Sequence, residues 1–114
     1  MNESDVIRLR HMLDAAREAL SFVAGRSSED LSRDRMLVLA LVKEIEIIGE
    51  AASRISDASR KALPRIPWPK IIAMRNRLIH AYADVDLSIV WDTLTGALPE
   101  LQRELEIALG VSTR

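Results

Sequence analysis

At 114 residues and a formal net charge of −1, the chain has room for one hydrophobic core and no charge excess that would select nucleic acid or an acidic surface by itself. It has no cysteine, which excludes disulfides and thiolate sites, and its apolar residues are mostly Leu, Ile, Val and Ala, a mixture favouring helix over sheet. The polar start Met1-Asn2-Glu3-Ser4-Asp5 is unlike a secretory leader and the longest apolar run, Met36 to Val42, is too short to span a bilayer, so a cytoplasmic domain over residues 1–114 without membrane contact is expected.

Val6, Leu9, Leu13, Ala16, Leu20 and Val23 recur three and four apart, the stripe of an amphipathic first helix that Gly25 can close. His11 lies off that stripe and reads as a surface residue. Ser27 to Asp30 is turn and N-cap chemistry, with Ser32 an equally good cap for the second and longest helix. That helix should run to about Ile55 on Val38, Leu41, Ile45, Ile48, Ala52 and Ile55, widened by Leu37, Ala40 and Ile47. Gly49 inside it costs about 1 kcal/mol of helix propensity and permits close approach by another backbone.

Ser56 or Asp57 can cap a short helix to Leu63, after which Pro64 and Pro67 oppose regular structure. Pro69 suits the first turn of a third major helix reaching about Tyr82, with Trp68 anchoring its entry. Asp84-Val85-Asp86 can cap the last helix, whose stripe runs from Leu87 through Leu94, Leu98 and Leu105 to Gly110. Pro99 should interrupt one backbone hydrogen bond and bend it. No strand alternation occurs, and the expected fold is an all-α, up-and-down bundle of four long helices plus a short one.

The third major helix carries the unusual chemistry. Arg75 falls in the middle of an apolar arc made by Ile71, Ile72, Leu78, Ile79 and Tyr82, where a guanidinium needs an anionic partner. Glu50, at the end of the apolar stretch of the second helix, is a candidate for that partner, or is simply an exposed helical Glu. His80 follows, one of only two histidines, and then the only tyrosine, Tyr82. From Asp57 to Asp84 there is no acid between, while Arg60, Lys61, Arg65, Lys70, Arg75 and Arg77 are basic. This run is either a phosphate footprint, with Lys70 and Arg77 as its candidate RNA-binding cations, or a partner for the acidic segment that follows.

No glycine-rich phosphate loop, His-Glu-x-x-His metal signature or paired-carboxylate site is present, so neither a metal nor a cofactor is expected. Arg75, Asn76, His80 and Tyr82 remain. On a straight helix positions 75 and 80 diverge by roughly 140°, so a joint site needs either a distortion after Ile79 or a second copy of the helix across a two-fold axis. Such a group could cleave RNA, histidine moving the protons and arginine neutralising the phosphate.

Arg75-Asn76-Arg77-Leu78-Ile79-His80-Ala81-Tyr82 resembles the Arg-x4-His-x-Tyr motif of HepT-like toxins in the HEPN superfamily. The Ile47 to Ala52 segment, the Pro67-Trp68 entry and the Val90-Trp91 and Leu98-Pro99 pairs are similar to that family too, from about Arg35 to Leu105. The resemblance implies a HEPN homodimer acting as a metal-independent endoribonuclease toxin of a type II/VII-like toxin–antitoxin pair. Arg75 and His80 would be catalytic, with Asn76 and Glu50 supporting. It implies an MNT-type nucleotidyltransferase antitoxin that transfers AMP to Tyr82. A non-catalytic binding subunit of a nucleotidyltransferase and a purely structural helical dimer are the competing expectations.

Overall fold

Helix boundaries fall where capping chemistry is available. The computed structural model describes residues 1–80 and 85–111, Ile79 and His80 by their helical backbone. Helix α1 (Glu3–Val23) starts on Asn2, whose side chain accepts from the Asp5 N–H at 2.7 Å. It ends before Gly25, whose φ of +74° suits a residue without Cβ. Helix α2 (Ser28–Arg33) opens on a Ser27/Asp30 capping box, and α3 (Arg35–Arg54) on Asp34, whose carboxylate accepts from the Leu37 N–H at 3.1 Å. The long second helix expected from the sequence is therefore divided, with Asp34 rather than Ser32 capping its main part. Helix α4 (Asp57–Ala62) is capped by Ser56, and α5 (Trp68–His80) follows the proline-rich turn.

Asp86 caps α6 (Leu87–Asp92), accepting from the N–H groups of Ser88 and Ile89. The expected bend at Pro99 takes the form of a π-helical turn, Thr93–Ala97, ahead of α7 (Leu98–Leu109). The Leu98 N–H reaches back five residues to the Thr93 carbonyl. Proline at 99 cannot donate to the Thr95 carbonyl and its ring crowds it, so widening the preceding turn relieves the clash.

Helix α3 lies between α1 and α5, and α1 also packs on α7. Overall extents of 42 × 31 × 19 Å make the bundle about two helices thick. All six residues of the expected α3 stripe are buried. In α1 the core stripe is Leu9, Met12, Leu13, Ala16 and Ala19, and Val6, Leu20 and Val23 are only half-buried. Among the described residues no strand occurs, and no helix is long and apolar enough to cross a membrane.

Among the described residues three carboxylates are buried in this core, and charge patterning gives no sign of them. Asp5 ties the start of α1 to the start of α4, accepting from the Ser56 N–H at 3.1 Å and from the hydroxyls of Ser56 and Ser59 at 2.5 and 2.6 Å. Those hydroxyl bonds hold its carboxyl below the usual carboxylate range despite burial. Glu106 on α7 accepts from Arg17 on α1 at 2.9 Å and from Gln102 at 3.2 Å. Glu44 on α3 faces Glu18 on α1. Burial, then the hydrogen bond to Glu18 and its charge, push the Glu44 carboxyl up to about 7 from 4.5.

Gly49 is where α3 and α5 touch most closely. A Cβ at this position would fall 2.1 Å from the Cβ of Arg75, 2.6 Å from its Cγ and 3.4 Å from the Ile71 carbonyl oxygen. The expected close approach is real, and the group filling the gap is the stem of Arg75.

Both Glu44 and Gly49 give measurable expectations. A carboxyl whose folded pKa exceeds its unfolded one stabilises the fold below the unfolded value and loses that contribution as pH rises through about 7. Glu44→Gln should therefore raise the melting temperature at about pH 8, with the gain disappearing near pH 4; a gain independent of pH in circular-dichroism melts would contradict the assignment. Gly49→Ala gains helix propensity but drives a methyl into Arg75, and overpacking of about 1–3 kcal/mol should outweigh the gain of about 1. Urea denaturation should show net destabilisation, which Gly49→Ala/Arg75→Gly should largely relieve.

Candidate active site

The site is built where α5 crosses α3. Trp68 fixes the entry of α5: it is buried, and its indole N–H donates to the Leu63 carbonyl at 3.1 Å across the proline-rich turn. Ile71, Ile72 and Met74 pack at the core margin and Leu78 is buried, so the apolar side of α5 is held against α3. Arg75 is carried on that side, with its stem over Gly49 and 27% of its side chain exposed.

Each end of the guanidinium has a partner. Nη2 donates to Glu50 Oε2 at 2.5 Å and Nη1 to Asn76 Oδ1 at 3.0 Å. Its Nε is buried and has no acceptor among the described residues. Glu50 is thus the anion that Arg75 required, and it serves a second cation as well. Its Oε1 accepts from Arg54 Nε at 3.1 Å and makes an ion pair with Arg54 Nη2 at 2.9 Å. Two arginines share one carboxylate, leaving an excess positive charge at a surface that Asn76 also reaches. Each Nη has a second N–H, so the exposed edge of Arg75 can still bind a phosphate while Glu50 holds it.

The basic run is used in several different ways. Arg60 donates to the carbonyls of Ile55, Ala52 and Ser53, closing the C-terminus of α3. Arg65 pairs with Glu104 of the acidic segment at 3.8 Å, and Lys61 pairs with Asp57. Arg77 is exposed and its charge adds to the lowering of Asp86, which hydrogen bonds from Ser88 and Ile89 dominate. Lys70 lines hollows beside α7 with Pro67 and Leu101, apart from the Arg75 seat. The structure therefore joins Arg75, Asn76 and Glu50 directly and leaves Lys70 elsewhere. His80 is the last residue of α5, and Tyr82 lies outside the described residues. Arg54 escaped the sequence reading, although its position one turn after Glu50 is the signal that could have found it.

Residues 12–108 match the family model described as Ribonuclease HepT-like. The chain is 36% identical over 98 residues to "Putative RNase TTE0752" of Caldanaerobacter subterraneus subsp. tengcongensis, covering 86% of this chain and 88% of that one. It is 37% identical over 78 residues to "Probable ribonuclease HepT" of Thermococcus cleftensis, covering 68% and 71%. Against "Putative RNase MJ1216" of Methanocaldococcus jannaschii the identity is 32% over 98 residues, covering 86% and 81%. No solved structure matches significantly. With a family model spanning most of its length and relatives of this similarity, the chain belongs to the HepT-like ribonuclease family.

Proposed function

We propose that the protein is a metal-independent endoribonuclease, the cytoplasmic toxin of a toxin–antitoxin pair, cleaving RNA at a cleft between two copies of the chain. The observation that carries this reading is the condition of Arg75 in a chain of this family: a guanidinium fixed by Glu50 and Asn76, with an exposed edge free for an anion. Preorganised positive charge of this kind stabilises a phosphate as charge builds up on it. Helix α5 continues through His80, so positions 75 and 80 stay roughly 140° apart around its axis. Two-fold pairing of α5 with a second copy is then the route to a site using both residues.

In that site one His80 takes the proton from a ribose 2′-hydroxyl, whose oxygen attacks the adjacent phosphorus. The phosphorus–O5′ bond breaks as a second imidazole, protonated, gives its proton to the departing oxygen. The products are a 2′,3′-cyclic phosphate and a 5′-hydroxyl end. Arg75 neutralises the phosphate throughout and Arg77 serves RNA binding, while Lys70, set apart beside α7, meets RNA only away from the cleaved phosphate. Tyr82, two residues beyond His80, is the acceptor for AMP from a nucleotidyltransferase antitoxin of the MNT type. An added nucleotide phosphate beside the cleft would repel RNA and block entry.

The competing reading, a non-catalytic binding subunit of a nucleotidyltransferase, draws on the same Glu50 contact, since a neutralised arginine can simply be a structural one. An RNA digest separates them. The purified chain should cleave RNA in EDTA and leave cyclic phosphate ends. Arg75→Ala and His80→Ala should each slow cleavage by at least about a hundredfold; undiminished cleavage in both variants would refute the mechanism. Co-expression with the nucleotidyltransferase should add discrete AMP mass increments that Tyr82→Phe abolishes, as intact-mass spectrometry would show.

A further inference from the structure

Beside the Arg75 seat, α1 and α3 leave an open groove of about 460 Å³. Arg8 and His11 line it from α1, and Lys43 and Arg54 from α3, above the aliphatic side chains of Ile7 and Ile47. Two acids line it as well, and both are engaged: Glu46 with Lys43 at 3.8 Å, and Glu50 with Arg54 and Arg75. Arg8 is itself paired with Asp5 at 3.9 Å, so the positive excess comes from Arg75, which shares Glu50 with Arg54 at the edge of the groove. Ile7 is 47% exposed, an apolar side chain that the fold leaves turned toward solvent.

The groove and the candidate active site are physically continuous through Glu50. One carboxylate oxygen holds Arg75 and the other holds Arg54, so the two guanidinium groups are neighbours, one at the α5 crossing and one in the groove. Packing does not account for Arg54 or Lys43. Their side chains are 62% and 65% exposed, and surface pairs one turn apart add little to stability. Cations along a channel, with apolar side chains and an imidazole ring between them, match a single nucleic-acid strand: phosphates on the charges, unpaired bases on the floor.

We infer that the α1–α3 groove holds the single-stranded RNA flanking the cleaved phosphate. Arg54 and Lys43 take neighbouring phosphates, and bases lie over Ile7, Ile47 and His11. This deepens the ribonuclease reading and rests on it. Arg8 has a further task, donating to the Arg54 carbonyl at 3.0 Å and so closing the end of α3, which makes Lys43 and Arg54 the cleaner positions to change.

The test is fluorescence anisotropy with a labelled single-stranded oligouridylate, using the His80→Ala chain as parent so that the probe stays intact. Lys43→Ala and Arg54→Ala should each weaken binding roughly three- to tenfold at about 0.1 M salt, and lower the slope of log affinity against log salt by about 0.7 for each phosphate left without its cation. Lys43→Arg should restore affinity, and Arg33→Ala, which removes a still more exposed charge on α2, should leave it unchanged. Melting temperatures should not move. Equal affinity across the parent, Lys43→Ala and Arg54→Ala would overturn the inference while leaving the ribonuclease reading intact. A shift in the sedimentation coefficient without a change in RNA affinity would overturn it too, assigning the groove to contact between copies. A parent that binds no RNA would defeat the ribonuclease reading itself.

Discussion

An arginine on the packed side of a helix needs room for its stem and an opposite charge for its head. Helix α3 provides both at consecutive positions, Gly49 and Glu50. Without the gap at Gly49, α5 could not lie this close to α3 while carrying Arg75 on the contact face. Without Glu50 the half-buried guanidinium would lack its anion, an arrangement that proteins avoid because desolvated charge is costly. The crossing of α3 and α5, the orientation of Arg75 and the shape of the neighbouring groove all depend on this one contact.

The same rule governs the rest of the interior. Each buried carboxylate sits between elements far apart in sequence and finds a specific counterpart there. Asp5 takes two serine hydroxyls from the start of α4, Glu106 takes an arginine from α1, and Glu44 meets the carboxyl of Glu18 on α1. These polar contacts help specify how helices with otherwise similar Leu, Ile and Ala faces align, because sliding one helix along another would strand a charge. The π turn before Pro99 belongs to the same class of solution. The hydroxyls of Thr93 and Thr95 bond back to the carbonyls of Ile89 and Trp91, and the backbone of the last helix widens instead of breaking.

Much of this was legible from the order of residues alone. The α3 stripe is legible because apolar spacing reports one helical face directly, whereas for Glu50 the sequence leaves two readings open, Arg75's partner or an exposed helical Glu, and only the crossing of α3 and α5 selects the first. The division at Asp34 is not legible because Ser27, Ser32 and Asp34 are all competent caps; in the fold Ser27 and Asp34 are both used, one at the start of α2 and one at the start of α3. Asp5 read as an ordinary polar terminus, since its partners Ser56 and Ser59 lie more than fifty residues away. The groove was invisible for a similar reason. His11 and Lys43 each look like solvent-facing residues until α1 and α3 are aligned.

The pairing of α1 with α7 bears on how the molecule comes into being. Arg17 and Glu106 are 89 positions apart, and the contact between their helices encloses one side of the core. Loop-closure entropy makes such a contact costly to form before the intervening helices have packed. During synthesis α1 and α3 can associate early, but α1 gains its α7 neighbour only when α7 itself has left the ribosome. The arrival of α7, more than that of any earlier helix, is therefore the event that commits the fold.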